Sequence, residues 1–261
     1  MTVASALPGA PVFAASSPLS RVRQISSQGV VISTAPAGKP LADNASTRTV
    51  FDIVVSIHAK NGRPSYPAGD DDATQDAGTS DDEQNAYEDI IRFFADGVCE
   101  MTNGAHHLGE VRIFKQGQRA SSADIVWKVS DWPRGTVSGF GKNGQNIIFG
   151  DFFPFPGNTF DALKAGINRE KAGYTLAHEW GHYTLGLFDE YKGGSDSAFA
   201  SVPRKSDVPP PFPAIMNNQW PAARPTVSNR FRYLNLSQKD NFSKQTAQGR
   251  VYGRSAWDVV R

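Results

Sequence analysis

The stretch HEWGH at positions 178–182 constrains the fold of this 261-residue chain more than any other part of its sequence. Residues four positions apart share one face of an α-helix, so His178 and His182 can direct two imidazole nitrogens at one metal ion. Glu179 stands at the edge of that face, where its carboxylate can accept a proton from a water molecule on the metal. The motif therefore predicts a helix over Arg169–Leu185 that carries a zinc site.

A catalytic zinc takes a third protein ligand, and no histidine follows His182 in the sequence. Gly186 follows shortly after, and glycine readily adopts the left-handed conformation that ends a helix and reverses the chain. Asp189 comes just after this reversal and offers a carboxylate oxygen, which zinc accepts as a ligand. Glu190, with a longer side chain and one position later, is the competing candidate. We expect Asp189 to be the third ligand.

The other three histidines do not stand at ligand spacing to this segment. We expect surface or structural roles for them: His58, His106 and His107.

The stretch HEWGHYTLGLFDEY, with the spacing HExxHxxxGxxDE, resembles the zinc-binding segment of the calcium-activated chloride channel regulator (CLCA) family. The N-terminal domain of that family looks like a metallopeptidase of the metzincin type. The resemblance implies Zn²⁺ as the cofactor, with His178, His182 and Asp189 as its ligands. It also implies Glu179 as the general base and a peptide or protein as the substrate.

Weaker similarity continues downstream. The stretch Ala214-Ile215-Met216 resembles the methionine turn beneath the metal of metzincins, although an ordinary buried Met216 would give the same sequence. The stretch SAWDVV near the end resembles the close of the family's catalytic region. Some metzincins place a tyrosine two residues after that methionine, where this chain has Asn218, and Tyr191 is a candidate substitute. The chain lacks the cysteines of its animal relatives, so we do not carry channel regulation over to it.

The order of predicted elements indicates an α/β fold. Apolar, β-branched runs predict four strands, at Thr47–Lys60, Glu110–Phe114, Ala123–Val129 and Asn146–Phe149. The centre of the first strand, FDIVVSI, is nearly all apolar, which is typical of a strand covered on both faces. Apolar residues at helical spacing predict a helix over Glu83–Met101 between the first two strands. The last helix is expected around Ser237–Gln248.

The resemblance to metzincins refines this fold. It implies a zincin of the α+β kind with a mixed, mostly parallel twisted sheet and an active-site helix that carries HExxH. An antiparallel edge strand, which pairs with extended substrate in metzincins, would lie within Val129–Phe149. An irregular C-terminal subdomain with the methionine turn would follow.

Two regions differ in composition. Residues 1–47 are rich in Ala, Ser, Pro and Gly and read as a flexible N-terminal leader or pro-like segment, with one strand expected at Gly29–Ser33. Residues 48–261 are expected to form the metzincin-like zinc metallopeptidase domain.

Charge and hydropathy limit the partners and the location. With 27 Lys and Arg against 26 Asp and Glu, the chain gives no electrostatic reason to expect nucleic acid as a partner. No stretch approaches the roughly 18 apolar residues of a membrane span. The N-terminus has the apolar middle of a signal peptide but lacks a positively charged start. We expect a secreted or cell-surface protein, within a larger surface assembly.

These observations predict a zinc-dependent endopeptidase that hydrolyses peptide bonds through a metal-activated water, with Glu179 as the general base. The alternative is a cell-surface or adhesion module that retains the zinc site and has little or only self-directed proteolysis.

Overall fold

The structure is a computed structural model that describes residues 23–26, 29–33, 49–57, 59–60, 63–64, 81–114, 117–191, 213–223 and 230–261. Its strands are β1 (Arg23–Ser26), β2 (Gly29–Ser33), β3 (Thr49–Ile57), β4 (Ala59–Lys60), β5 (Arg63–Pro64), β6 (His106–Phe114), β7 (Ile125–Ser130), β8 (Arg134–Gly135), β9 (Ile147–Phe155) and β10 (Asn158–Asp161). Its α-helices are α1 (Asp81–Met101), α2 (Ile167–Tyr183), α3 (Ile215–Asn218), α4 (Ala247–Tyr252) and α5 (Ala256–Val260). None of these helices combines the length and the apolar character needed to cross a membrane.

The main sheet is mixed, with parallel strands at its centre. The strand order is β1-β2-β6-β3-β7-β9-β10, and β8 pairs with the outer edge of β9. Strands β6, β3, β7 and β9 are mutually parallel, whereas the pairs at both edges of the sheet are antiparallel. Helix α1 forms the crossover from β3 to the parallel β6, because a tight turn cannot join parallel strands. The predicted α/β class, with a mostly parallel sheet and an antiparallel edge, is confirmed at this level.

All four strands predicted from apolar runs lie in the parallel centre, as β3, β6, β7 and β9. Two of them extend beyond the predicted runs because pairing with neighbours lengthens them. Strand β6 begins at His106, opposite Thr49 of β3, and β9 continues to Phe155, where it turns into the hairpin with β10. The predicted strand Gly29–Ser33 is β2, which pairs with β6. Strands β1 and β2 fall within residues 1–47, whose role as a leader stays a prediction.

The core lies between one face of the sheet and the pair of helices α1 and α2. Ile53, Val55 and Ile57 of β3 point to this side and are at most 1% exposed. Trp180 of α2 also packs on the sheet here, edge-on to Phe51 at 5.3 Å between ring centroids. The expectation that FDIVVSI is covered on both faces is confirmed only at its end, where Ser56 on the second face is 0% exposed, and is wrong farther upstream, where Asp52 is exposed. The intervening Val54 is only partly buried.

Helices α1 and α2 approach each other closely at Gly173. A Cβ atom at this position would lie 2.3 Å from the Cβ of Phe93 and 2.7 Å from the backbone oxygen of Ile90. Only a residue without a side chain lets the two backbones come so near. This contact fixes α2, and with it the HEWGH stretch, against α1 and the sheet.

The C-terminal region is irregular, as expected, but the helix predicted over Ser237–Gln248 is wrong. Helix α4 begins only at Ala247, and α5 follows it. The reason is local competition: the Thr246 hydroxyl accepts the N–H of Gly249 and so caps α4 at its start. Upstream, the Asn241 side chain accepts the N–H of Gln238 and favours a turn over a helix.

We expect Gly173→Ala to lower the free energy of unfolding by about 1–3 kcal/mol, because the added methyl group overpacks the helix contact. This loss would outweigh the gain of about 1 kcal/mol that alanine brings to a helix interior. Urea unfolding followed by circular dichroism measures the difference. Lys142→Ala, in an exposed loop, is the control and should change stability by less than about 0.5 kcal/mol. A Gly173→Ala variant as stable as the parent would contradict the close approach.

Candidate metal site and the cavity beside it

Helix α2 places the two imidazoles of the motif side by side. The Nε2 atoms of His178 and His182 lie 3.2 Å apart. Both residues are buried, at 3% and 9% exposure. The helical spacing expected from the sequence is therefore realised in the interior, on a helix held by α1.

The chain reverses directly after α2. Gly186 has a φ angle of 68°, in the left-handed region that favours glycine. Its N–H donates to the backbone oxygen of His182 at 3.2 Å, and the N–H of Leu187 donates to that of Gly181 at 3.1 Å. The reversal brings Asp189 back to the helix, with its Oδ1 atom 3.2 Å from both Nε2 atoms of the histidines.

The three atoms have the separations that a zinc ion requires. His178 Nε2, His182 Nε2 and Asp189 Oδ1 form a triangle whose sides are all 3.2 Å. Tetrahedral ligand atoms about 2.0–2.1 Å from zinc lie about 3.3–3.4 Å from one another. The triangle therefore matches one face of a tetrahedral site to within about 0.2 Å.

The other ring nitrogens fix which atoms face the triangle. His178 Nδ1 lies 2.8 Å from the backbone oxygen of Ile215, and His182 Nδ1 lies 2.7 Å from that of Leu187. A carbonyl oxygen only accepts, so each Nδ1 carries a proton, and Nε2 is the atom that presents a lone pair when the ring is neutral. Asp189 Oδ1 is buried without a hydrogen-bond donor among the described residues. Three electron-pair donors at this distance need protons or a metal ion between them, and two imidazole nitrogens with one carboxylate oxygen are a donor set that fits zinc.

Protons compete for the same place. Burial by itself lowers the pKa of His182, but the carboxylates of Asp189 and Glu179 outweigh it and raise the pKa to about 9. Burial alone raises the pKa of Asp189, yet the two imidazoles hold that pKa well below its usual range. A metal ion must displace protons from such a cluster, so its affinity falls as the pH is lowered.

The carboxylate of Glu179 adjoins the histidines and is held from the sheet. Its oxygens and the ring nitrogens of His178 and His182 include atoms that all lie within 4.8 Å of one another. Glu179 Oε2 accepts the backbone N–H of Gly135 in β8 at 2.7 Å. Burial of the side chain raises the pKa of Glu179.

Glu190 points elsewhere. Its carboxylate accepts a hydrogen bond from the Ser237 hydroxyl, and the residue is 1% exposed. Burial raises the pKa of Glu190 to about 7. Of the two acidic candidates for the third ligand, the structure brings Asp189 to the histidines and Glu190 to the C-terminal segment.

Met216 lies directly behind the motif helix. The residue is fully buried, and a Cβ atom at Gly181, between the two histidines, would lie 2.5 Å from its sulfur. Its neighbour Ile215 supplies the backbone oxygen that orients His178. The segment predicted as a methionine turn therefore contacts the site through packing and through a hydrogen bond.

The remaining histidines have other surroundings. His106 and His107 begin β6, where the ring of His106 packs edge-on to Phe51 at 4.9 Å between centroids. His107 Nε2 lies 2.8 Å from the backbone oxygen of Gly104. These contacts agree with structural roles, and His58 lies outside the described residues.

A cavity of about 350 Å³ opens beside the histidines. His178 and Glu179 line one side of it, and aromatic rings line much of the rest: Trp132, Phe153, Phe155 and Trp220. The indole N–H of Trp220 donates to Thr175 Oγ1 of α2 at 3.0 Å. A second cavity, of about 600 Å³, shares only Phe155 and Trp220 with the first. Phe155 and Trp220 thus form the partition between the two.

Tyr191 and Asn218 also line the first cavity. The ring of Tyr191 stacks on that of His178 with 6.1 Å between centroids and an interplanar angle of 28°. The sequence suggested Tyr191 and Asn218 for a role near the metal, and both line the same cavity.

Several of these residues carry no signal in the sequence. Gly135 lies in a glycine-rich stretch, and the backbone N–H that meets Glu179 has no sequence signature. Trp132 and Trp220 resemble ordinary core residues in the sequence. Each of these tryptophans precedes a proline in an irregular stretch, but this pattern does not indicate a cavity wall.

Comparisons with protein-family models, with curated proteins and with solved structures found no match for this chain. The resemblance to the CLCA zinc-binding segment therefore stays a prediction from the stretch HEWGHYTLGLFDEY.

We expect Asp189→Asn to weaken zinc binding by more than about 100-fold, because changes outside the ligand shell already cost about 10- to 100-fold. Glu190→Gln keeps an oxygen that can accept from Ser237 and should cost less than about 10-fold. Competition with a chromophoric chelator measures both variants against the parent. The reverse order of losses would transfer the ligand role to Glu190.

Proposed function

We propose that this chain is a zinc-dependent endopeptidase of the metzincin type, similar to the N-terminal domain of the CLCA family. One observation carries the proposal: three electron-pair donors form a triangle with sides of 3.2 Å, beside the carboxylate of Glu179. A purely structural zinc site has no need of a carboxylate next to its ligands. The motif, the chain reversal and the cavity support the same conclusion.

Zinc, when bound, would lower the pKa of a coordinated water to about 7 and polarise the carbonyl of a peptide. The hydrogen bonds from Nδ1 to backbone oxygens keep both imidazoles in the tautomer that a metal ligand requires. Glu179 Oε2 is occupied by the N–H of Gly135, which leaves Oε1 to accept a proton from the attacking water. The same atom would return that proton to the leaving amine.

The cavity indicates the type of peptide. Among the described residues, His178 and Glu179 are the only titratable acid–base side chains of its lining apart from the Tyr191 phenol, and the lining contains five aromatic rings. An apolar or aromatic side chain beside the scissile bond is the best match, because burial in such a pocket is favourable by about 25 cal/mol per Å². The lining residues Trp132 and Pro133 lead directly into β8, so we expect the peptide to run extended along this strand.

Two features support the metzincin type over other zincins. Gly186 ends the motif helix and returns the chain to present Asp189, as the resemblance implies. Met216 packs against the helix between the two histidines. The assignment as a methionine turn, like the zincin class itself, is part of the proposal.

Tyr191 is the candidate for assistance to the carbonyl oxygen during attack. It stacks on His178 and lines the cavity, and a phenol is a hydrogen-bond donor of the kind that stabilises developing negative charge. Asn218, at the position where some metzincins have tyrosine, lines the same cavity. A secreted or cell-surface location within a larger assembly remains an expectation from the resemblance.

Glu179→Gln should retain zinc while it lowers kcat by about 10²- to 10⁴-fold, because the amide cannot take up a proton. Digestion of a peptide library by parent and variant, with and without a chelator, measures the effect, and Lys142→Ala is the matched control. A variant that cleaves as fast as the parent would show that the assigned base is wrong. A parent that binds zinc but cleaves nothing would favour the surface module without turnover.

Trp220→Ala should relax the preference for side-chain size, because it joins the cavity beside the histidines to its neighbour. We expect the ratio of kcat/KM between peptides with a phenylalanine and with an extended biphenyl side chain at this subsite to fall by about 10-fold or more. Trp220→Phe, which keeps a ring in the partition, should change the ratio less. An unchanged ratio in Trp220→Ala would show that the substrate does not use this cavity.

A further inference from the structure

The segment 186–190, here called the ligand loop, carries Asp189 but belongs to no helix or strand. Its backbone therefore lacks the regular hydrogen bonds that fix a side chain on a helix. Yet Asp189 Oδ1 would hold the proposed zinc ion together with both imidazoles, and Leu187 in the same loop orients His182. Something outside the loop must hold it.

Gln248 forms hydrogen bonds to the ligand loop on both sides of the peptide group that joins Phe188 to Asp189. The N–H of Phe188 donates to Gln248 Oε1 at 2.9 Å. The backbone N–H of Gln248 in turn donates to the backbone oxygen of Asp189 at 3.1 Å. Gln248 is fully buried, at 0% exposure, so these bonds are shielded from water.

The ends of the loop are fastened to the same part of the chain. The Tyr252 hydroxyl donates to the backbone oxygen of Gly186 at 2.8 Å. The Ser237 hydroxyl donates to Glu190 Oε1 and accepts the N–H of Ala256 at 2.9 Å. The C-terminal segment 237–256 thus contacts the first and last residues of the ligand loop as well as its centre.

Packing alone does not account for Gln248. Its Nε2 atom is buried without a hydrogen-bond partner in the described part of the chain. An unpaired buried amide costs about 1–3 kcal/mol, and an apolar side chain of the same length would avoid this cost. The amide is useful through its oxygen, which accepts the N–H next to Asp189.

We propose that Gln248, supported by Tyr252 and Ser237, is a positioning residue that holds Asp189 at the histidines and so sets the affinity for zinc. This inference rests on the proposed zinc site. It makes the C-terminal segment 237–256 part of the metal centre, although none of its residues is a ligand. It also gives Glu190 a role, as the attachment of the loop to Ser237.

The test is zinc affinity, measured without substrate by competition with a chromophoric chelator. Gln248→Met keeps the length of the side chain but removes the acceptor, and Tyr252→Phe removes only the hydroxyl. We expect zinc binding to weaken by about 10- to 100-fold in Gln248→Met, as for other residues that orient metal ligands. Tyr252→Phe should show a smaller loss in the same direction, and the double variant a larger one.

Tyr87→Phe is the matched control. It removes a buried hydroxyl that donates to Asp151 Oδ1 at 2.9 Å, away from the ligand loop. We expect this variant to lower the melting temperature of the chelator-treated protein but to change zinc affinity by less than about twofold. If Gln248 only stabilises the fold, Gln248→Met should also lower the melting temperature and leave the zinc affinity unchanged.

Zinc affinity equal to that of the parent in folded Gln248→Met would overturn the inference and leave the proposed function standing. If Gln248→Met does not fold, the zinc affinities of Tyr252→Phe and Ser237→Ala are measured instead. Unchanged zinc affinity in both variants would also overturn the inference. A parent that binds no zinc at all would instead contradict the proposed function, which is a different result. Weakened binding in the loop variants with normal binding in Tyr87→Phe is the expected outcome.

Discussion

The convergence of three electron-pair donors on one point is the constraint on which the rest of this structure depends. His178 Nε2, His182 Nε2 and Asp189 Oδ1 face one another at 3.2 Å, an arrangement that is favourable only around a cation. The ion pairs of Asp189 with the two imidazoles favour it, but they do not fix the backbone that carries each residue. The surrounding fold must therefore keep each donor in place, and the elements near the site provide the contacts that do so.

The first set of these contacts fixes the motif helix α2. Gly173 lets α2 approach α1 backbone to backbone, which fixes the helix that carries both imidazoles. From the opposite side, the edge of the sheet reaches the same helix through Gly135 of β8, whose N–H occupies one oxygen of Glu179. Two unrelated parts of the fold thus meet at the residues proposed to bind the metal and to move the proton.

The second set of contacts comes from the C-terminal segment 237–256, whose structure the sequence predicts poorly. Its buried amide and hydroxyls attach to the ligand loop at Gly186, Phe188 and Glu190. The segment before it supplies Met216 behind the helix and Trp220 in the cavity wall. The proposed metal site, the proposed base and the cavity beside them are therefore all in contact with the C-terminal part of the chain.

The sequence by itself determined what acts over short distances along the chain. The spacing of His178 and His182, the reversal at Gly186 and the runs that form β3, β6, β7 and β9 all follow from residues within a few positions of one another. The same local reasoning was wrong over Ser237–Gln248, where side chains bonded to nearby backbone groups instead of leaving them to a helix.

Only the tertiary structure decided the choice of partners that lie far apart in the chain. It brought Ser237 to Glu190, 47 positions away, and the N–H of Gly135 to Glu179, 44 positions away. A backbone N–H such as that of Gly135 leaves no mark in the sequence because nearly every residue has one, and the Ser237 hydroxyl stands in no motif that would point to Glu190. Spacing shows which side chains can share a helical face, but folding selects the distant groups that hold them there.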